Sequence, residues 1–167
     1  MGATQENLQA AFAGESQANR RYLFFADKAE KEGHLQIARL FRAAAEAETV
    51  HARNHLQAMG GIKSTKENLE AAAEGESYEF TKMYPGFIEQ AKADKHGKAE
   101  VSFTHANKVE KIHHTLYQKA LKALEAGQSL PDEPYFVCQV CGNTVAGKAP
   151  DKCPVCGAPS NKFKRID

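Results

Sequence analysis

The sequence predicts an all-α four-helix bundle followed by a small β/loop module. Three observations lead there. Four long stretches place apolar residues at three- and four-residue steps, a Glu-x-x-His pair occurs twice on those stretches, and two Cys-x-x-Cys pairs close the chain. The first is the period of a buried helix face. The second puts a carboxylate and an imidazole on one side of a helix, one turn apart. The third is metal-thiolate spacing in a segment too short to build a core of its own.

Each element can be read in turn. Ala3 to Glu32 has no proline and repeats Leu8, Ala11, Phe12, Glu15, Ala18, Tyr22, Phe25 and Ala29 at helical steps, and Gly33 ends it. Leu35 to Met59 follows with Ile37, Leu40, Phe41, Ala44, Glu48, His51 and His55 on one stripe, closed by Gly60-Gly61. Ser64 with Glu67 three residues on reads as a capping box opening a third helix to about Lys95. Pro85 lies inside that helix, so a kink or bulge is expected near Tyr84-Pro85. A fourth helix runs from about Lys98 to Ala126, where Gly127 stops it. The boundaries that follow are a bundle over 1–128, a turn-rich linker over 129–134 and a module over 135–167.

The first and second pairs of helices resemble each other. Asn7-Leu8-x-Ala10-Ala11-x-x-Gly14-Glu15-Ser16 returns as Asn68-Leu69-x-Ala71-Ala72-x-x-Gly75-Glu76-Ser77. Glu48 and His51 return as Glu110 and His113, and Tyr22 is matched by Tyr84. A duplicated helical hairpin accounts for this, and two Glu-x-x-His pairs with single-Glu helices form the ligand set of a di-iron or di-manganese carboxylate bundle. Glu15, Glu48, Glu76, Glu79 and Glu110 all fall on apolar stripes, where unpaired charge costs several kcal/mol. Two metal ions supply the compensating positive charge. Hard oxygen donors with two imidazoles suit iron or manganese.

Glu79 breaks the duplication, because Ala18 occupies its place in the first half. It is either a surface residue or a ligand that makes the two metal positions unequal. Gly14 and Gly75, each before a ligand candidate, imply close packing or a bulge. His51 with His55 offers a competing His-x-x-x-His zinc reading, but Tyr117 stands where a second copy would need a histidine, so His55 is read as a core or surface residue. His34, His96, His105 and His114 are read the same way, and Phe12, Phe24, Phe25, Phe41 and Phe103 as core. Tyr22 and Tyr84 are core aromatics whose phenols could hydrogen-bond the ligand carboxylates.

Cys138, Cys141, Cys153 and Cys156 make the four-thiolate site, which geometry assigns equally to iron or to a structural zinc. A net charge of +1 argues for no nucleic-acid partner. No apolar run of about 20 residues could span a bilayer, and no basic-then-apolar leader precedes Ala3. Thiolates used this way make the cytoplasm the expected compartment.

Taken together these motifs resemble the rubrerythrins over nearly the whole chain. The resemblance rests on Gly14-Glu15-Ser16 with Tyr22, Glu48-x-x-His51, Gly75-Glu76-Ser77-Tyr78-Glu79 with Met83-Tyr84-Pro85, Glu110-x-x-His113 and the two cysteine pairs, in that order. The short loop between the cysteine pairs and the lack of tryptophan are departures that touch no ligand. The resemblance implies a ferritin-like bundle with two non-haem irons, joined to a rubredoxin-like Fe(Cys)4 domain. It implies reduction of hydrogen peroxide to water, with electrons passing through the rubredoxin-like centre from an external reductase or redox protein, in defence against oxidative stress. Glu48 and Glu110 would bridge the irons, Glu15 and Glu76 would be terminal, and His113 would stay bound. Glu79 and His51 would exchange with oxidation state. It further implies a homo-oligomer, with head-to-tail dimers bringing one copy's rubredoxin-like domain to the other's di-iron site. The competing readings are an iron-storing or ferroxidase bundle with a structural zinc ribbon, and a ribbon interaction module on a helical scaffold.

Overall fold

A computed structural model describes residues 2–167. The elements in chain order are α1 (Ala3–Lys31), α2 (Leu35–Ala58), α3 (Thr65–Tyr78), a π-helical segment (Glu79–Met83), α4 (Tyr84–Ala93), α5 (Gly97–Glu125), β1 (Tyr135–Cys138), β2 (Thr144–Ala146), a 3-10 turn (Ser160–Lys162) and β3 (Phe163–Ile166). The expected succession of helices and then a small strand-and-loop module is what forms. The chain divides into two compact units, one ending at Lys63 and one over Ser64–Asp167. No helix among the described residues is long and apolar enough to cross a membrane.

The first unit is the hairpin α1–α2. Its seam is lined by Ala18, Ala26, Ala29, Ala38 and Ala45, all buried. Alanine carries no side chain to hold two helices apart, and the spacings follow the helical period. The turn between the helices is set by Gly33, whose φ of 84° lets His34 N–H reach the carbonyl of Ala29 at 2.9 Å. Asn19 fastens the seam from α1, its Nδ2 donating to the carbonyl of Ala45 at 2.7 Å and to Thr49 Oγ1 at 2.9 Å.

Two expectations are corrected in this hairpin. Phe24 is 67% exposed and Phe25 46% exposed, so neither is core. Phe24 is two residues from Tyr22, about 200° round the helix, and a two-helix hairpin has a single seam to bury side chains in. Ile37 and Leu40 lie outside that seam for the same reason. Nor does Gly14 mark close packing, and the same holds for Gly75 on the third helix, since a Cβ at either would meet nothing within 4 Å.

The second unit opens at Ser64, where the expected capping box forms: Glu67 N–H donates to Ser64 Oγ and Ser64 N–H to Glu67 Oε2. The bulge expected near Pro85 is the π segment just before it. Tyr84 N–H bonds to the carbonyl of Glu79, one residue further back than in an α-helix. The sequence explains this once the halves are aligned on the structure. Glu15 and Tyr22 are seven residues apart, Glu76 and Tyr84 eight. One extra residue in a helix is absorbed as a single π turn, and Pro85, with no N–H to give, tolerates the shifted ladder. Beyond the insertion the duplication resumes, and the ring cluster Tyr22, Phe25 and Phe41 is repeated as Tyr84, Phe87 and Phe103.

The module is an antiparallel sheet in the order β2-β1-β3. It rests on α5 of the same unit. Val109 is the one buried helix side chain larger than alanine among the described residues, and a Cβ at Gly142 would sit 3.6 Å from its Cγ1.

Candidate metal centres

The structure brings the predicted donors together as three clusters. Within each, one donor atom per residue lies within 4.8 Å of the others: Glu15, Glu48 and His51 in the first unit, then Glu76, Glu110 and His113, and Cys138, Cys141, Cys153 and Cys156, in the second. Glu79 falls outside the three clusters as the first residue of the π segment, yet its charge raises the pKa of Glu76, Glu110 and Tyr84. Tyr22 and Tyr84 are half-buried in their ring clusters. Burial, followed by the charges of Glu79, Glu110 and Glu76, holds the Tyr84 phenol above its ordinary pKa, so it keeps its proton as a hydrogen-bond donor.

In the first cluster His51 Nδ1 lies 2.8 Å from Glu48 Oε2. The equivalent contact in the second, His113 Nδ1 to Glu110 Oε2, is 2.9 Å, and Glu76 Oε1 is 3.7 Å from the same nitrogen. What differs is the far side of the ring. His113 Nε2 lies 2.9 Å from Thr144 Oγ1, and the Thr144 hydroxyl donates to the carbonyl of Gly142 at 3.0 Å. With that hydroxyl donating to Gly142, Nε2 is placed to donate to Thr144 Oγ1, the tautomer that leaves Nδ1 as a lone pair for an ion. A bare nitrogen facing a carboxylate oxygen at 2.9 Å needs a proton or a cation between them. Both carboxyls hold their protons more tightly than usual: burial and then the charge of Glu110 push Glu76 up to about 7, and burial raises Glu110 as well. An oxygen-and-imidazole set short of positive charge fits iron or manganese.

The four thiols are all free, with Cys138 and Cys153 buried. Each pair sits on the same knuckle: Gly142 N–H bonds to the carbonyl of Cys138 at 2.8 Å, and Gly157 N–H to that of Cys153 at 2.9 Å. The sulfurs of Cys138 and Cys156 are 3.7 Å apart, those of Cys141 and Cys153 3.6 Å. Metal–sulfur bonds of about 2.3 Å in a tetrahedron put sulfurs roughly 3.8 Å apart, so the cage is the right size for one ion. Burial raises the Cys141 and Cys156 thiols. Burial acts on Cys153 too, but the backbone N–H groups of Cys156 and Val155 outweigh it and bring that thiol down to about 7.

The other histidines hold no cluster. His114 Nδ1 donates to the carbonyl of Ala73 and its ring packs on Phe80, His96 caps α5 through the N–H of Ala99, and His55 is half-buried on α2. Sequence reasoning missed Thr144 and Asn19. Each is a common polar residue beside a motif, and only the fold says which one meets a ligand helix.

Comparison with known proteins agrees with this geometry. The family model described as Rubrerythrin matches residues 6–121, and that described as the rubrerythrin rubredoxin-like domain matches 136–164. Rubrerythrin of Porphyromonas gingivalis is 38% identical, covering 96% of this chain and 88% of its own. Rubrerythrin-2 of Clostridium acetobutylicum is 33% identical over 96% and 95%, and nigerythrin of Nitratidesulfovibrio vulgaris 35% over 98% and 86%. Among solved structures, nigerythrin in its fully reduced, all-ferrous state aligns with a TM-score of 0.59 at 34% identity, covering 99% of this chain and 88% of that one. The mixed-valence state aligns at 0.58.

Proposed function

The chain belongs to the rubrerythrin family, and from that premise we propose that it is a non-haem di-iron peroxidase that reduces hydrogen peroxide to water. The observation that supports this best is the presence in one chain of two carboxylate–imidazole clusters and a four-thiol cage. A storage bundle with a structural zinc ribbon would own the same groups, and the metal held by the cage separates it from this reading.

In this reading Glu15, Glu48, His51, Glu76, Glu79, Glu110 and His113 hold two irons, and the four cysteines hold a third. When bound, the iron pair supplies the two electrons that break the peroxide bond, and the thiolate iron supplies replacements one at a time. One peroxide, two electrons and two protons then give two waters. The chain's own groups set the rest. His113, held at both nitrogens, is the fixed imidazole. His51 is half-exposed and held at one nitrogen, and in this reading it is the ligand that would exchange with Glu79. Tyr84 keeps a phenol hydrogen available for the carboxylates around it.

The reading includes an external redox protein as electron donor, a head-to-tail dimer and a cytoplasmic role in peroxide defence. The test is Cys138→Ser in the iron-loaded protein. Turnover with an external reductant should stop, while one stoichiometric oxidation by peroxide survives. Equal loss in both assays would sink the relay. A colourless wild-type protein with zinc in the cage would instead favour storage.

A further inference from the structure

We propose that Thr144 couples the thiolate cage to the second carboxylate cluster, so that filling the cage raises the affinity of Glu76, Glu110 and His113 for their ion. This rests on the reading that the cluster binds metal. Three observations support it.

First, Thr144 is the first residue of β2 and the third beyond Cys141, so the knuckle fixes its place. Asn143 next to it accepts the N–H of Cys138 at 2.9 Å, Gly142 before that donates to Cys138, and the hydroxyl of Thr144 returns to Gly142. Second, the module has little else to order it. Its buried residues are Cys138, Asn143 and Cys153, and a segment this small owes its fold to its metal. On that principle the position of Thr144 depends on an ion in the cage. Third, Thr144 provides the bond that selects the tautomer of His113, and the surroundings do little to replace it. The two residues face a cavity of about 380 Å³ walled by Leu69, Leu116, Ala120 and Leu130, with the two tyrosines 117 and 135 as its other polar groups.

A ligand histidine whose far nitrogen is held presents its near nitrogen as a lone pair at a set angle, and loss of such a partner typically costs 10- to 100-fold in affinity, on the order of magnitude seen at zinc sites. Thr144 is therefore a positioning residue. Because the coupling is an equilibrium one, it works both ways: an ion on His113 also favours the ordered cage.

The test uses the full-length protein with zinc in the cage, titrated with manganese(II), an ion thiolates do not favour. Free manganese is read by electron paramagnetic resonance. Thr144→Val should weaken manganese binding roughly 10-fold or more with zinc content unchanged, and Thr144→Ser should restore it. Nitrogen NMR should show His113 protonated at Nε2 in the wild type and in T144S, and a mixture of tautomers in T144V. Removing zinc should weaken manganese binding by the wild type and leave T144V where it was. Equal manganese affinity in T144V and wild type overturns the proposal, as does an equal response of both to zinc removal. If T144V fails to retain zinc, the wild type decides alone: a His113 tautomer indifferent to zinc removal overturns the coupling. A wild-type protein that binds no manganese removes the metal reading itself, a different failure.

Discussion

The two carboxylate–imidazole clusters began as one design and have diverged. Each has a glutamate from one helix and a Glu-x-x-His from the next, with the histidine Nδ1 within 2.9 Å of the glutamate one turn before it. Each lies beside a Tyr-Phe-Phe ring cluster at matching positions. Yet the His51 side chain is 54% exposed and held at one nitrogen, whereas that of His113 is 27% exposed and held at both. Two additions make the difference: one residue inserted before Tyr84, which makes the π turn that Glu79 opens, and a module whose Thr144 reaches back to α5. Duplication gave the chemistry twice; the module gave one histidine a second partner.

The sharpest break of this comparison exchanges the two histidines for glutamine one at a time. His113→Gln should lower metal affinity by more than the roughly 10- to 100-fold that loss of a ligand's outer partner costs, and His51→Gln by less than His113→Gln. Manganese or iron(II) titration reads both, and equal losses would show the clusters to be equivalent after all. A smaller effect is expected at Asn19, which locks the first hairpin where the second has Phe80 against His114. Asn19→Ala should cost about 1–2 kcal/mol in denaturant unfolding, a loss confined to stability if the lock is purely structural.

The smallest effect is on the pH dependence of the metal-free protein. Glu76 has its folded pKa raised to about 7 from an ordinary 4.5, by burial first and then by Glu110. Below the ordinary value both folded and unfolded chains hold the proton, and this group favours neither. As pH rises toward about 7 the unfolded chain releases its proton first, so the folded state loses stability across that window. Glu76→Gln removes the loss. Its melting temperature should exceed that of the metal-free wild type by roughly a few degrees at pH 8 and match it near pH 4, a modest gain because Glu76 is only partly buried. The same substitution should impair metal uptake at every pH, since it removes a ligand oxygen's charge.

Much of this was open to sequence because it depends on spacing along one helix or one loop. Glu48 and His51 must share a face at three residues, Ser64 and Glu67 must find each other across one turn, and Cys-x-x-Cys-Gly must close a knuckle. These are local geometries, fixed by covalent connection and helical pitch. The one-residue offset that produces the π turn was also in the sequence, in the distance from Glu76 to Tyr84 against that from Glu15 to Tyr22. It became legible only with the hydrogen bond from Tyr84 to Glu79 in view.

The tertiary structure alone decided the rest. That alanines fill the buried line of the α1–α2 seam while Phe24 faces outward depends on which helix faces meet, and a stripe wide enough to hold both does not specify that. Thr144 is thirty-one residues from His113, and nothing in its neighbours marks it as the acceptor for an imidazole. Sequence by itself determined which donor atoms the chain owns and which of them share a face. The packing of the module on α5 decided which of two equivalent histidines is held, because a hydrogen bond between distant segments depends on where both segments lie, and pattern encodes only one segment at a time.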